Sequence, residues 1–454
     1  MTGPAQTPAG AVPPQAPGSR YVRIWRGISD PIQLLSGLQA SFGDIAALRQ
    51  GVSYAVFHPD YIKRVLQDNH PNYEKGERYR AALSPLMGNG LFLSEGPFWL
   101  RQRRLAQVAF QNVRTAAFDQ PMLTCTARML DAWAVKARSG QPIALRQELV
   151  DVTLRITLHV VFSRHADSQM TALIDAVQGV NQDVRFGTQF LPFHLPAWVP
   201  TPGRVRFKRS LRTIDEFVYD LVALRRSSKN PEADLVDLLL QARDAESGEA
   251  MTDLQVRDEL VTFLNAGHDT VTDAVLWTLV LLAQHPEAAD RVRQEIASTA
   301  GAAPLSFAAL QRMPYLARVF HESLRLFPPA WAFARSAIHA DTLGPYRIPA
   351  GALVVISPFV THRAPQFWER PYAFDPDRFL PEQAAARPKF AYFPFGGGPR
   401  QCIGMGVAMM EAPLILASIL QRFDVRLASA GAVRPSPRIS LRPEGTVWMN
   451  LREI

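Results

Sequence analysis

A long apolar segment between residues 252 and 285 limits the chain to folds that contain one very long buried helix. Thr252 and Gln255, three positions apart, form the pattern of a capping box at a helix N-terminus. The segment stops at His285-Pro286, because proline ends a helix. At 1.5 Å per residue such a helix is roughly 50 Å long, enough to cross a whole domain. Its apolar residues lie nearly all round, as in helices buried on every side.

The centre of this segment does not suit a buried helix. Its sequence is Ala266-Gly267-His268-Asp269-Thr270. The glycine costs about 1 kcal/mol relative to alanine inside a helix, and the aspartate needs a partner or water once it is buried. Such local conflicts are expected where function overrides folding, so these five residues mark a candidate site.

A second unusual stretch, residues 393–404, precedes another apolar helix. Gly, Pro, aromatic residues, Arg and Cys fill ten of its twelve positions. Glycine-rich backbone before a helix can bind phosphate, but no Lys-Ser/Thr follows these glycines. The other use is to hold a thiolate, since amide groups and a helix N-terminus favour negative charge. Cys402 is the thiol in this stretch, and the plainer interpretation is a small buried core residue.

The stretch resembles the Phe-x-x-Gly-x-Arg-x-Cys-x-Gly signature of the cytochrome P-450 family. Phe395, Gly398, Arg400, Cys402 and Gly404 occupy all its fixed positions. The resemblance implies that Cys402 is the axial ligand of the iron in haem b (iron protoporphyrin IX), with Phe395 and Arg400 beside the cofactor. It also implies the fold, mainly α with small β-sheets, in which a long central helix lies over a buried haem.

The centre of the long segment resembles the same family's Ala/Gly-Gly-x-Asp/Glu-Thr motif. Ala266, Gly267, Asp269 and Thr270 match it, whereas Val271 stands where many members carry a second Thr or Ser. The resemblance implies that Ala266 and Gly267 line the haem side of the helix. It also implies that Thr270 orients water and that Asp269 relays protons to the oxygen substrate.

Further arginines are candidates for binding the haem propionates. Trp99 and Arg103 lie one helical turn apart and offer only hydrogen-bond donors, which suits a carboxylate. In isolation they are more typical of a surface cation–π pair. They resemble the family's Trp-x-x-x-Arg pair, and Arg335 stands where the family binds the other propionate. With Arg400 the chain then has four donors for two carboxylates.

Glu322 and Arg325, three residues apart on a predicted helix at 316–327, would ordinarily be a surface pair. The apolar run that follows argues for burial, and a buried pair needs further hydrogen bonds. Arg378 is placed to supply one. The set resembles the family's Glu-x-x-Arg helix with its locking arginine, which implies a structural triad on the thiolate side of the haem.

Composition excludes several classes of protein. The 454 residues carry 49 basic and 41 acidic side chains, a formal net charge of +8, without the Lys/Arg block of a nucleic-acid tail. Two distant cysteines give no disulfide framework, and Cys125 is interpreted as core. The Pro-rich stretch 1–20 predicts a disordered tail and shows no signal peptide or membrane anchor. We expect a cytoplasmic monomer in which residues 21–454 form a single haem-binding domain.

The remaining segments predict ordinary elements and three connections of interest. Helices are predicted at 30–41, 58–69, 123–161, 204–226 and 233–244, with a hairpin at 45–57. Residues 73–97 contain four glycines and no period, which predicts an irregular functional loop. Residues 184–203 are predicted to connect two helices with aromatic side chains. Residues 439–450 are predicted to form a hairpin turned at Glu444-Gly445.

Together the motifs imply a haem-thiolate monooxygenase that inserts one oxygen atom from O2 into a lipophilic small molecule. Its electrons would come ultimately from NAD(P)H through a separate ferredoxin or flavodoxin, with Arg101, Arg104 and Arg400 as docking candidates. A fatty acid, terpenoid, steroid or macrolide would each fit an apolar pocket. The pocket candidates are Phe263, Ala266, Ala330, Trp331 and Val447.

Two alternatives remain open at this point. A peroxide-driven haem hydroxylase of the same fold would use hydrogen peroxide directly and has less need of the Asp269-Thr270 pair. A non-catalytic haem sensor or carrier has no use for an acid and an alcohol at the oxygen side of the iron.

Overall fold

The computed structural model describes residues 10–19, 25–27, 29–112, 115–183, 201–228, 234–429 and 431–454. They form two compact units. The first is built from Met1–Glu77, His321–Cys402 and Pro437–Arg442, and the second from Arg78–Phe320, Ile403–Ser436 and Pro443–Ile454. The single domain expected for 21–454 stays a prediction. Of the aromatic connection predicted at 184–203, residues 184–200 lie outside the described residues.

Helices make up most of the described chain. In chain order they are Pro31–Phe42, Pro59–Lys63, Glu77–Met87, Gly96–Asn112, Thr115–Arg138, Leu145–Phe162, Met170–Asp183, Pro202–Ser227, Leu235–Gln241, Asp253–Gln284, Pro286–Thr299, Phe307–Leu310, Pro314–Leu326, Pro358–Thr361, Pro381–Ala385 and Met405–Arg422. We refer to Asp253–Gln284 as the long helix. The Thr252 hydroxyl accepts from the Gln255 amide and the Gln255 side chain accepts from the Thr252 amide, which confirms the predicted capping box.

A five-stranded sheet forms the centre of the first unit. Its strands, in spatial order, are Ile45–Arg49, Ser53–Val56, Leu353–Ile356, Phe333–Ala337 and Tyr73–Glu74. The second and third are parallel and the other neighbours antiparallel. The first two form the predicted hairpin. Val354 and Ile356 are fully buried in the core on one face of this sheet, as the period of two in a strand requires.

The stretch 10–19 departs from the disordered tail that its composition predicts. The Ala16 amide donates to the Ala47 carbonyl at 2.8 Å, and the Ala47 amide donates to the Pro14 carbonyl at 2.7 Å. The Ala11 amide donates to the Pro345 carbonyl at 2.9 Å, and Ala16 is buried. The tail prediction fails here because edge strands offer unpaired backbone groups, which even a Pro-rich segment can satisfy.

The long helix is the core of the second unit. It packs against Leu145–Phe162 and Met405–Arg422 in an apolar interior. A three-stranded sheet of Ile143–Ala144, Trp448–Glu453 and Phe423–Leu427 completes this unit. Two strand pairs are smaller: Asp341–Leu343 with Tyr346–Ile348, and Pro435–Pro437 with Leu441–Pro443. No helix in the described part of the chain is long and apolar enough to span a membrane.

Three sequence-based assignments are wrong. The predicted loop 73–97 contains the helix Glu77–Met87. The predicted hairpin at 439–450 does not form, because its halves pair with strands elsewhere in the chain. The segment 123–161, predicted to be helical, is interrupted between two helices by a turn and the strand Ile143–Ala144.

Candidate functional site

Residues 393–404, hereafter the Cys402 loop, are held by their own backbone. The Gly396 amide donates to the Phe393 carbonyl at 2.9 Å, and the Cys402 amide donates to the Phe395 carbonyl at 3.0 Å. Gly398 has a positive φ of 66°, and a Cβ there would overlap with the carbonyl of Leu66. Only glycine therefore fits this motif position.

The residues of this loop suit a thiolate ligand and an anionic partner. Cys402 is exposed, whereas Phe395 and Arg400 are half-buried. Arg335, on the strand Phe333–Ala337, is also half-buried, and its guanidinium lies 5.3 Å from the centre of the Phe333 ring. An accessible sulfur and two half-buried guanidinium groups match the donor set that a haem with carboxylate side chains needs.

Trp99 and Arg103 lie in the first two turns of the helix Gly96–Asn112. Trp99 is buried and Arg103 is half-buried. Their i, i+4 spacing places them on one helix face, as the sequence predicts. The burial of Trp99 shows that this face of the helix is turned towards the protein interior.

The structure brings Glu322, Arg325 and Arg378 together in the interior of the first unit. Glu322 and Arg325 are fully buried and form a two-point ion pair, with N···O distances of 2.6 and 2.8 Å. Nε of Arg378 lies 3.5 Å from the same carboxylate. Burial raises the pKa of Glu322, and the two guanidinium groups oppose that shift.

The Glu322–Arg325 pair also holds main chain. Arg325 donates to three carbonyls, and the carboxylate of Glu322 accepts from the backbone amide of Asp375 at 2.9 Å. The three carbonyls belong to His362, Pro371 and Ala373, at 2.9, 2.6 and 3.0 Å. This buried pair therefore has the additional hydrogen bonds that offset desolvation of two charges.

The centre of the long helix carries an accessible patch on an otherwise buried element. Ala266 and Thr270, one turn apart, are exposed, although residues 256–264 and 271–282 of the same helix are buried. The Thr270 hydroxyl donates to the Ala266 carbonyl at 3.0 Å. Exposure of two residues of this motif is consistent with a helix face that adjoins a ligand.

Asp269 points to a different neighbour. Its Oδ1 lies 2.5 Å from the Arg146 guanidinium, which also binds the fully buried Asp273 at 2.9 Å. Asn181 donates to the other oxygen of Asp269 at 3.4 Å. Sequence reasoning missed Arg146 and Asn181, since nothing in the helical pattern of either segment distinguishes them from surface residues.

The predicted pocket residues have different environments. Phe263 is buried and packs edge-to-face on Phe110, with ring centroids 5.0 Å apart. Ala330 is exposed, and the half-buried Trp331 donates its indole N–H to the Arg438 carbonyl at 2.9 Å. Val447 is buried and directly precedes the strand Trp448–Glu453.

The main chain of Val447 connects two elements of the second unit. The Val447 carbonyl accepts from the Leu145 amide at 2.9 Å, which ties the segment before Trp448–Glu453 to the start of the helix Leu145–Phe162. The role of Val447 in a substrate pocket stays a prediction.

Two of the basic docking candidates are already paired. Arg104 binds Asp244 and Glu246, both at N···O distances below 3 Å. Arg101 donates to the Ala250 carbonyl at 2.8 Å and lies 3.4 Å from Glu249. These acidic residues neutralise much of the positive field that an acidic redox partner would meet.

Known proteins resemble this chain in sequence and in fold. Residues 22–449 match the sequence model of the family described as Cytochrome P450. Cyclooctatin synthase from Streptomyces melanosporofaciens is 34% identical, over 90% of this chain and 89% of its own length. Pentalenene oxygenase from Streptomyces avermitilis is 31% identical, over 92% and 93%. The crystal structure of the cytochrome P450DA haem domain has the same fold, with a TM-score of 0.86, 24% identity and 98% coverage of both chains.

Proposed function

The chain belongs to the cytochrome P450 family and is a monooxygenase, and from that premise we propose that it oxidises a lipophilic terpenoid with electrons from a separate ferredoxin or flavodoxin. Support for the substrate class comes from similar proteins named for cyclooctatin and pentalenene. The predicted fold, mainly α with small sheets, is confirmed.

The observation that carries the proposal is the Cys402 loop. We propose that Cys402 is the axial ligand, because its sulfur is exposed at the end of a loop whose shape is fixed by Gly398. Trp99, Arg103, Arg335 and Arg400 would donate to the propionates. When bound, a haem with thiolate ligation supplies the oxidising chemistry and favours O–O cleavage.

On the long helix, we propose that Thr270 positions the water that delivers protons. Its hydroxyl hydrogen is used by the Ala266 carbonyl, so its exposed oxygen can still accept a hydrogen bond from that water. Asp269 would pass protons to this water. Because Arg146 binds the Asp269 carboxylate, the relay requires that Asp269 exchange part of this contact for water.

The hydrogen bond from Thr270 to the Ala266 carbonyl also agrees with the peroxide-driven alternative. If Thr270 only completes a bond to its own helix, as Thr often does, it has no part in proton transfer. In that alternative, hydrogen peroxide replaces both O2 and the two electrons, so a redox partner would be unnecessary for turnover. The two functions therefore differ in what they require of Thr270.

Apolar packing would keep bulk water away from the oxidation, apart from the water that Thr270 positions. The Phe263–Phe110 contact lies one turn before Ala266 and Gly267 on the long helix. An apolar surface there favours hydrocarbon over charged substrates. Substrate contacts would come from shape and burial rather than from ion pairs.

A binding and turnover screen tests the substrate class. Purified haem-loaded protein is titrated with terpenoid hydrocarbons and alcohols, fatty acids, steroids and macrolides, and the change in the haem spectrum is followed. Compounds that bind are then incubated with NADPH, a surrogate ferredoxin and its reductase, and products are identified by mass spectrometry. We expect hydroxylated terpenoids that require the ferredoxin. Turnover of fatty acids alone would contradict the substrate proposal, and turnover only with added peroxide would favour the alternative function.

A further inference from the structure

His362 connects two parts of the first unit that the sequence motifs treat as separate. It follows the short helix Pro358–Thr361 and is fully buried. Its main-chain carbonyl accepts from Arg325, the arginine of the buried ion pair, at 2.9 Å. Its ring nitrogen Nε2 accepts from the backbone amide of Phe393, the first residue of the Cys402 loop, at 2.9 Å.

The ring of His362 has a defined position and protonation state. It packs against Tyr392 and Phe393, with ring centroids 5.1 and 5.2 Å away. Because Nε2 accepts a hydrogen bond, the neutral ring carries its hydrogen on Nδ1. Burial, together with the positive charges of Arg325 and Arg363, holds the pKa of His362 well below its ordinary value. The imidazole therefore remains an acceptor at neutral pH.

Phe393 passes this attachment to the cysteine. Its amide is bound to His362, and its carbonyl accepts from the Gly396 amide at 2.9 Å. Two residues further on, the carbonyl of Phe395 accepts from the amide of Cys402 at 3.0 Å. A shift of Phe393 would therefore move the backbone that fixes the cysteine.

The other side of the loop is fixed independently. Gly398 lies against the main chain of Leu66 so closely that no side chain fits. The loop is thus attached at Phe393 by the side chain of His362, and at Gly398 by close packing of its backbone on Leu66. Of these two attachments, the one at Phe393 can be removed by changing a side chain without altering the loop itself.

We propose that His362 is a positioning residue that fixes the Cys402 loop to the Glu322–Arg325 pair and so holds the sulfur where it binds iron. The proposal rests on the proposed function, in which Cys402 is the haem ligand. Without the acceptor at Nε2, the buried Phe393 amide has lost its partner, and the loop can move before the rest of the protein unfolds.

Three variants separate positioning from general stability. His362→Phe keeps a ring of similar size without an acceptor. His362→Gln can place an amide oxygen near the position of Nε2, whereas the shorter His362→Asn cannot. The Gln and Asn variants form a matched polar pair, which keeps the test decisive if the Phe variant does not fold.

Two transitions are followed along one urea gradient in the haem-loaded proteins. The first is loss of the red-shifted Soret band of the reduced, carbon-monoxide-bound thiolate haem, and the second is loss of helix by circular dichroism. In His362→Phe and His362→Asn we expect the band to disappear at lower urea while helix loss occurs later. At urea concentrations between the two midpoints, the fraction of haem that keeps the red-shifted band should be roughly two- to tenfold lower in these variants than in the wild type. This is the effect expected for the loss of one hydrogen bond. His362→Gln should behave as the wild type.

The outcomes distinguish the two proposals. If the band and the helix are lost together in every variant, His362 supports the fold only and the positioning role is wrong. Equal behaviour of the Gln and Asn variants would also overturn it. If the wild type binds haem but never shows the red-shifted band, the proposed function itself fails, whatever the variants do.

Discussion

The Cys402 loop and the centre of the long helix carry equally distinct motifs, but the structure explains them differently. In the loop, the motif encodes a shape, since Gly398 is required by its contact with Leu66 and the Cys402 amide is bound by Phe395. In the long helix, the motif residues lie on an uninterrupted helix and do not determine its backbone shape. Thr270 bonds its own helix and Asp269 binds Arg146.

This difference separates two kinds of functional residue. Where a motif determines backbone shape, as at Gly398, geometry alone shows why the residue is needed. Where a motif sits on a regular element, each side chain already has a structural partner, and a catalytic role must be shown by kinetics. Variants in the first region should lose the cofactor, and variants in the second should keep it while losing efficiency.

The largest effect is expected in the Glu322–Arg325 pair. Glu322→Ala leaves Arg325 buried without its carboxylate, which costs roughly 3–5 kcal/mol of unfolding free energy. We expect protein that does not retain haem. Haem content per protein and urea unfolding measure this directly.

Asp290→Ala is the matched control, because Asp290 and Arg293 also lie three residues apart on a helix, at 2.8 Å. Asp290 has a side-chain exposure of 66%, so its loss should cost less than about 1 kcal/mol and leave haem content unchanged. A Glu322→Ala variant as stable and haem-rich as Asp290→Ala would show that the buried pair has no special part in the loop region.

A smaller, catalytic effect is expected from Thr270→Ala. If Thr270 positions the proton-delivering water, this variant should bind haem and substrate normally. Product formed per electron consumed should fall by roughly tenfold or more, with hydrogen peroxide as the by-product. A peroxide-driven assay should be less impaired, since it supplies protons and electrons together with the oxidant.

Thr278→Ala separates this role from helix stabilisation. The Thr278 hydroxyl donates to the Ala274 carbonyl at 2.7 Å, the same local bond as that of Thr270, but Thr278 is fully buried. We expect wild-type coupling of electrons to product in this control. Equal coupling in wild type and Thr270→Ala would mean that the long-helix motif has only the structural role.

A further effect, visible only when the pH is changed, concerns two carboxylates in different surroundings. Asp269 binds Arg146, whereas Glu411, on the helix after the Cys402 loop, is buried and its Oε1 has no hydrogen-bond partner in the described structure. Burial raises the pKa of Glu411 to about 8. The folded state therefore holds a proton that the unfolded chain releases near its ordinary pKa of about 4.3.

The sign of the pH effect follows from this difference. Because the native state binds more protons between these two pKa values, the free energy of unfolding falls as pH rises towards about 8. The slope from one such group is at most about 1.4 kcal/mol per pH unit. Glu411→Gln should flatten the curve and be the more stable protein at about pH 9. Parallel urea-unfolding curves for wild type and variant across this range would contradict the buried neutral carboxyl.

Local signals in the sequence predicted much of this molecule. The Thr252–Gln255 capping box fixed the start of the long helix, and the alternation at 45–57 predicted the hairpin. Both depend on residues close together in the chain. The helix Glu77–Met87 was missed because Pro85 and the flanking glycines obscure its pattern.

Long-range partners could not be predicted. Trp448–Glu453 pairs with Ile143–Ala144, about 300 residues away, rather than across a local hairpin. Arg104 meets Asp244, and Arg146 meets Asp269, each across more than a hundred residues. His362 was missed for the same reason, because its importance lies in two contacts rather than in a local pattern.

The most direct test of the central claim is the absorption spectrum of the reduced, carbon-monoxide-bound protein, recorded for the wild type and Cys402→Ser. We expect the red-shifted Soret band of a thiolate-ligated haem in the wild type. The band should be absent in Cys402→Ser, while circular dichroism shows the same helix content in both proteins. A haem-loaded wild type without that band, or a Cys402→Ser variant that retains it, would contradict the assignment of Cys402 as the haem ligand.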